Sequence, residues 1–474
     1  MRKPDSKSVR LVLALMIPIL VLSLPLSIFP DAFTVVQQRV VALFLFAALF
    51  WILEPVPIYA TSMLIIVLEL LLISDSSLMW LRSEAINYGR EISHREIMAT
   101  LASPVIMLFL GGFFLAVAAT KYRLDISIAG VLLPRFGRNP KIVLLGLMSM
   151  TAFFSMFMSN TATTAMMLSI LVPVLGAFAK EDKARVAYVI GIPVAANIGG
   201  MGTPIGTPPN AIALKFMVDL PIAFGKWMAF GIPLVLVLLL IAWFSITQLW
   251  TIQAKSVELS MPSSVSKSPK ALIVYITFVL TILLWITDFL HGMNSYVVAL
   301  LPVGIFLATG VLNKEDLKLI SWDVLWLVSG GIALGLALEQ SGLAVTIIDQ
   351  IPFEDFPASV VLVCACLVGL LMANFMSNTA TANLVLPLVA ALGTSVSGLG
   401  EVGGSAHIIL ATSLSISLAM SLPISTPPNA LAHATGVIQT RDLIKIGLLM
   451  GFIGLLLILM LNWILVSTQF LQHS

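Results

Sequence analysis

Two short polar clusters, each repeated once, are the residues of this chain that could do chemistry. Ser159-Asn160-Thr161 recurs as Ser377-Asn378-Thr379, both inside long apolar stretches. Some 45 residues after each comes a turn, Gly206-Thr207-Pro208-Pro209-Asn210 and Ser425-Thr426-Pro427-Pro428-Asn429. Ser and Thr hydroxyls, Asn amide oxygens and freed carbonyls suit a hard cation such as Na⁺. Asn N–H₂, Thr O–H and the N–H groups at a helix start can donate to an anion, helped by the positive end of the helix dipole. No Arg, Lys, Asp or Glu lies within these four polar elements. A lone ion of either sign would be poorly held there, so an anion co-bound with Na⁺ is the economical reading. A divalent anion is favoured, because two equivalent tips can each supply one cation and one donor set. Polar groups at membrane depth are expensive unless they bind something, and a doubled set points to one site built from two related halves, as in secondary transporters.

The elements around them are membrane elements. The 474 residues are 59% hydrophobic and 10% charged, with mean hydropathy +1.06, which excludes an ordinary soluble domain. The net charge of +2 gives no reason to expect a nucleic-acid partner, since the basic residues sit in short loops. Cys364 and Cys366 have no further ligands nearby and read as small buried hydrophobes. The histidines at 94, 291, 407, 433 and 473 form no ligand-spaced cluster. There is no G-x-S-x-G, no H-E-x-x-H and no aspartate pair within the spans, so an enzyme is not expected.

Spans of roughly 20 apolar residues fall near 11–29, 39–54, 57–74, 101–120, 186–218, 229–250, 271–290, 294–312, 322–340, 405–438 and 446–467. The expected fold is therefore an all-α polytopic membrane protein with eleven transmembrane helices. The run after Arg2, Lys3, Lys7 and Arg10 is read as a retained first helix rather than a cleaved leader. Two further stretches, about 142–179 and 358–396, are each broken midway by Ser-Asn-Thr and read as re-entrant hairpins. With the N-terminus inside, this arrangement places 19 of the 25 Lys and Arg residues on the cytoplasmic side, the expected bias; the C-terminus is then external.

Gly111-Gly112 matches Gly330-Gly331 at a spacing of 219, Asn160 matches Asn378 at 218, and Thr207 matches Thr426 at 219. Five crossings separate the equivalents, so the repeat is inverted. The chain divides into a first helix and N-terminus (1–38), repeat 1 (39–250), a cytoplasmic linker (251–270) and repeat 2 (271–474). The Pro-Pro pairs are expected to interrupt the fifth and tenth spans, with Asn210 and Asn429 capping the half-helices beyond them and Gly199, Gly200, Gly202 and Gly206 allowing close approach. Glu54, Glu69 and Glu339 are expected at the interface, and Trp51, Trp80, Trp227, Trp322 and Trp463 are read mostly as interfacial anchors.

The paired tips and paired (Ser/Thr)-Pro-Pro-Asn turns resemble the divalent anion:sodium symporter family, in particular its INDY-type bacterial dicarboxylate members, over nearly the whole chain. The resemblance implies a homodimer in the bacterial cytoplasmic (inner) membrane, with scaffold and transport domains working as an elevator. It implies Na⁺-coupled uptake of a C4-dicarboxylate such as succinate, malate or fumarate; the alternative is an anion exchanger of the same fold that does not use Na⁺. Carried over, one Na⁺ would be held by Ser155, Ser159, Asn160 and Gly206, the other by Ala373, Ser377, Asn378 and Ser425. Substrate carboxylates would meet Asn160, Thr161, Asn378 and Thr379, flanked by Thr207, Pro208, Thr426 and Pro427. Ala373 offers only its backbone carbonyl where its counterpart Ser155 also has a hydroxyl.

Overall fold

A computed structural model describes residues 6–30, 33–82, 87–176, 178–179, 181–217, 220–257 and 268–472. Half of the expected linker, residues 258–267, lies outside the described residues. Backbone groups in hydrocarbon must be satisfied within their own segment, and the regular elements among the described residues are accordingly all helices, apart from an isolated bridge between Ser74 and Ile92. In order, the helices are α1 Ser6–Ser23, α2 Val35–Leu53, α3 Ile58–Leu72, α4 His94–Ala99, α5 Pro104–Lys121 and α6 Leu124–Leu132. The first interrupted stretch comes next as α7 Pro140–Ser155 and α8 Asn160–Leu175, then α9 Ala184–Gly200, α10 Pro208–Phe216 and α11 Phe224–Leu249. The second half runs α12 Pro269–Ile286, α13 Asp288–His291, α14 Ser295–Ala308, α15 Trp322–Gln340 and α16 Leu343–Ile348. It ends with α17 Ala358–Phe375, α18 Asn378–Ser395, α19 Gly404–Ser417, α20 Pro427–Ala434 and α21 Thr440–Ser467. Among the described residues, seven helical segments are long and apolar enough to cross a membrane; α3, α7, α9, α14 and α19 are shorter apolar helices.

Both Ser-Asn-Thr stretches are helix–break–helix units whose legs pack on each other, α7 on α8 and α17 on α18. The fifth and tenth spans are broken as well, between Gly200 and Pro208 and between Ser417 and Pro427. The Pro-Pro pairs, however, start helices. Pro208 and Pro427 occupy the first turn of α10 and α20, where a missing N–H costs nothing, and the unwound residues lie upstream. The same logic begins α5 at Ser103-Pro104, α7 at Asn139-Pro140 and α12 at Ser268-Pro269.

The two halves exchange elements. Half-helix α10 packs on α18 and α19 of the second half, and α20 packs on α8 and α9 of the first. A second reciprocal pair is α5 on α14 and α15 on α3. The repeated Gly-Gly pairs sit at these crossings. A Cβ on Gly111 would lie 2.0 Å from the Ala299 carbonyl oxygen of α14, and one on Gly330 would lie 2.4 Å from Ser62 Cβ of α3. Their neighbours face inward: Gly112 lies under Ile205 of the first unwound loop, and Gly331 under the Asn383 side chain of α18.

Two groups of residues depart from the interfacial reading. Glu69 is fully buried in α3, on the face that also buries Thr61, Ser62, Ile65 and Ile66, and its carboxyl oxygens have no partner among the described residues. The i, i+3, i+4, i+7 spacing turns it onto the packed side of α3 rather than to a span end. Trp51 and Trp227 are buried at 1% and 0% exposure, and their indole N–H groups donate to the Ile58 and Met201 carbonyls. Trp80, Trp322 and Trp463 are exposed, as anchors are. Glu54 and Glu339 are exposed at helix ends.

Candidate functional site

Each Ser-Asn-Thr occupies a helix start. Ser159 Oγ accepts from the Ala162 N–H at 3.2 Å, and Ser377 Oγ accepts from the Ala380 N–H at 3.2 Å. Each serine is therefore the N-cap, the asparagine is the first helical residue and the threonine the second. The N–H groups of that first turn have no intrahelical acceptor, and they carry the positive end of the helix dipole. Thr161 is exposed and Thr379 half-buried.

In the first half, the tip and the unwound loop converge. Ser155 Oγ lies 2.5 Å from Asn160 Oδ1 and 2.8 Å from the Ala196 carbonyl, its single proton shared between two acceptors. The Asn160 amide lies against Gly200, where an added Cβ would come within 2.8 Å of Asn160 Oδ1 and 2.9 Å of the Gly206 carbonyl oxygen. Glycine is needed at 200 because any side chain would displace this cluster. Ser155, Asn160 and Gly206, three of the four residues expected at one Na⁺ site, thus surround one point. Ser159 caps the same tip.

The second half repeats this scaffold with one oxygen missing. Ala373 is fully buried and carries no hydroxyl, and Asn378 Oδ1 is buried without a hydrogen-bond partner among the described residues. A buried, unpartnered oxygen is expensive, and it fits the donor set of a hard cation. The residue after Ala373, Asn374, ties the hairpin to the unwound loop: its Oδ1 accepts from the Ser421 N–H at 2.9 Å, and its carbonyl accepts from Ser425 Oγ at 3.0 Å.

That tie has a counterpart built from different residues. In the first half the Thr203 hydroxyl donates to the Met156 carbonyl and accepts from the Gly206 N–H at 3.1 Å. In the second, the Ser425 hydroxyl donates to the Asn374 carbonyl and accepts from the Leu422 N–H at 3.1 Å. Met156 and Asn374 are equivalent positions, but the hydroxyl comes from opposite ends of the four-residue turn.

Asn210 and Asn429 are not helix caps. That position belongs to Thr207 and Thr426, whose extended φ/ψ precedes each Pro-Pro pair. Asn210 Nδ2 reaches back to the Gly200 and Thr203 carbonyls at 3.1 and 2.9 Å, and Asn429 Nδ2 to the Met420 and Leu422 carbonyls at 2.7 and 3.1 Å. Two residues into a helix, an asparagine side chain lies beside the loop that precedes it, and here it satisfies carbonyls freed by unwinding. Trp227 does the same for Met201 at 3.1 Å. Thr207 and Thr426 are 3% and 4% exposed, Pro208 is half-buried and Pro427 exposed.

Three contributors escape reading from the sequence: Asn197, Thr203 and Asn374. Asn197, on α9, is 3% exposed and crosses between the halves. Its Nδ2 lies 3.2 Å from Thr426 Oγ1 and 3.3 Å from Asn429 Oδ1. A lone polar residue at membrane depth, between Ala196 and Ile198, was the available signal.

The arrangement offers neutral oxygens and helix N-termini, and no charged side chain takes part in these ties. The protein family described as citrate transporter (CitMHS) matches residues 48–409. The sodium-dependent dicarboxylate transporter SdcS of Staphylococcus saprophyticus is 31% identical, over 92% of this chain and 88% of its own length. The inorganic phosphate transporter PHO87 of Saccharomyces cerevisiae is 30% identical over 84% of this chain, which spans 43% of that longer protein. The crystal structure of the Alcanivorax borkumensis YdaH transporter, at 14% identity, superposes with a TM-score of 0.54 over 90% of this chain and 98% of its own.

Proposed function

Because the chain belongs to the citrate-transporter family, among the divalent anion:sodium symporters, we propose that this secondary transporter couples Na⁺ entry to uptake of a C4-dicarboxylate such as succinate, malate or fumarate. The observation that carries the reading is the doubled, uncharged tip: Asn160 and Asn378 open helices α8 and α18, and Asn378 Oδ1 is buried without a partner among the described residues. Cations entering with a dianion would offset its charge in a neutral site, and two tips supply two sets of oxygen ligands. One Na⁺ binds Ser155, Ser159, Asn160 and Gly206; the other binds Ser377, Asn378, Ser425 and the Ala373 carbonyl. The carboxylates meet the Asn160 and Asn378 amides and the Thr161 and Thr379 hydroxyls, beside Thr207, Pro208, Thr426 and Pro427. The name of the staphylococcal relative supports both the ion and the substrate class.

In this reading the chain crosses the bacterial cytoplasmic membrane eleven times, N-terminus inside and C-terminus outside. It works as a homodimer whose hairpins and broken helices move as an elevator against the helices around α2, α3, α5, α14 and α15. Those scaffold crossings are pinned by Gly111 and Gly330, which suits a rigid frame. The test is uptake of labelled succinate, citrate and phosphate into proteoliposomes with and without an inward Na⁺ gradient. Gradient-driven accumulation of succinate is the expected result. Uptake indifferent to Na⁺ but stimulated by internal dicarboxylate would replace symport with exchange.

A further inference from the structure

We infer that Asn197 is a positioning residue that fixes the hydrogen-bond direction of Thr426, leaving that hydroxyl able only to donate, toward the bound anion. The inference rests on the reading above, in which Thr426 flanks a substrate carboxylate.

The orientation of the whole group is dictated by backbone carbonyls. Asn429 Nδ2 lies 2.7 and 3.1 Å from the Met420 and Leu422 carbonyls, which only accept. The Asn429 amide can therefore face one way, with Oδ1 toward Asn197. Oδ1 only accepts, so Asn197 must present its N–H₂ to it, at 3.3 Å. The two amide assignments are thus set by the network rather than chosen. The same Nδ2 reaches Thr426 Oγ1 at 3.2 Å, and the Asn429 N–H approaches that oxygen at 3.4 Å. A hydroxyl has two lone pairs and one proton. With N–H donors on both lone pairs, Thr426 keeps only its proton to offer, and it donates that proton to no acceptor among the described residues. Thr426 is 4% exposed, at the start of α20, where an anion is already favoured by the dipole.

The first half has no such device. The residue equivalent to Asn197 at the repeat spacing of 219 is Ile416. Among the described residues, Thr207 makes no side-chain cap bond and Asn210 Oδ1 is buried without a partner. The site is therefore asymmetric: the second half carries a donor of fixed direction, and the first a hydroxyl free to accept or donate.

The test is a double-mutant cycle in proteoliposomes with Asn197→Ala, Thr426→Val and the pair, measuring KM and maximal rate for sodium-driven uptake at matched protein. Each single change is expected to raise KM about tenfold with maximal rate within twofold, and Asn197→Ala is expected to add nothing in the Thr426→Val background. Asn197→Leu, which fills the asparagine's volume, repeats the test if the alanine variant fails to assemble, with the same expected KM. An unchanged KM in the Asn197 variants, or effects that multiply in the double variant, would overturn the inference, because a merely structural asparagine would act independently of Thr426. Wild-type protein run beside them, with succinate, citrate and phosphate in turn, reports separately on the transport reading. If citrate or phosphate proves to be the sodium-driven anion, the cycle is read with that anion and still decides the role of Asn197.

Discussion

The Ser155 hydroxyl lies 2.5 Å from Asn160 Oδ1 at the first tip, and the equivalent pair, Ala373 and Asn378, has no such bond because alanine has no hydroxyl to give. The two tips are therefore chemically unequal despite the identical Ser-Asn-Thr. Ser155→Ala would strip an oxygen from the proposed first Na⁺ set and leave Asn160 Oδ1 as bare as Asn378 Oδ1. Loss of a hydrogen bond of this kind is typically worth about 1 kcal/mol. Sodium titration of uptake should shift to roughly fivefold higher concentration; an unshifted titration would remove Ser155 from the ion site.

Asn160→Ala and Asn378→Ala should weaken sodium activation and substrate affinity together, because in the proposed site each amide oxygen would serve the cation and each N–H₂ the anion. A variant that kept the wild-type sodium curve while losing only substrate affinity would contradict the shared role.

On the proposed function, Thr161→Ala and Thr379→Ala each lose a hydroxyl that would donate to a substrate carboxylate. A hydrogen bond to a charged group contributes about 1.5–3 kcal/mol, so KM should rise about ten- to a hundredfold. Unchanged succinate uptake in both variants, at matched expression, would exclude these hydroxyls from the substrate site.

Gly330→Ala should weaken the assembled protein without touching the site. Its Cβ would meet Ser62 backbone and side-chain atoms at 2.4–2.8 Å, and overpacking of this kind typically costs about 1–3 kcal/mol. Thermal unfolding in detergent should show a lower midpoint than wild type, with sodium activation of the surviving fraction unaltered. A wild-type midpoint would mean that α3 and α15 part easily.

Topology is open to a labelling experiment. Lys255, at the start of the linker, and Gln472, at the C-terminal end, are both exposed. Single cysteines at these positions, in a background lacking Cys364 and Cys366, should react with an impermeant thiol reagent from opposite sides of the membrane. Labelling from one side only would overturn the inverted orientation of the halves.

The sequence disclosed what the repeat doubles. Both helix–break–helix stretches and both broken spans fall where the polar breaks placed them, because a polar break in an apolar run has few physical explanations and a second copy removes most of those. What escaped was what the repeat does not double. Asn197 has Ile416 as its counterpart, and the loop tie passes from Thr203 to Ser425 by changing ends of a turn, so no recurrence marks either one. Glu69 escaped for another reason. Apolar composition alone does not say which face of α3 is packed, and a carboxylate close to a span end reads as wet until its neighbours are known. Trp51 and Trp227 escaped likewise, since a tryptophan near a helix end serves as well in a core with its N–H satisfied as at an interface.

The exchange of half-helices between the two halves sets an order of assembly. The first hairpin leg α8 and helix α9 are covered by α20, which is synthesised more than 200 residues later. Throughout most of translation, then, the first tip stands in the bilayer beside a gap that the chain has yet to fill. Asn197 meanwhile lacks the threonine and asparagine it will eventually hold. A chain stopped short of Pro427 carries both Ser-Asn-Thr tips and every residue of the two proposed ion sets, yet lacks the half-helix that covers α8 and α9.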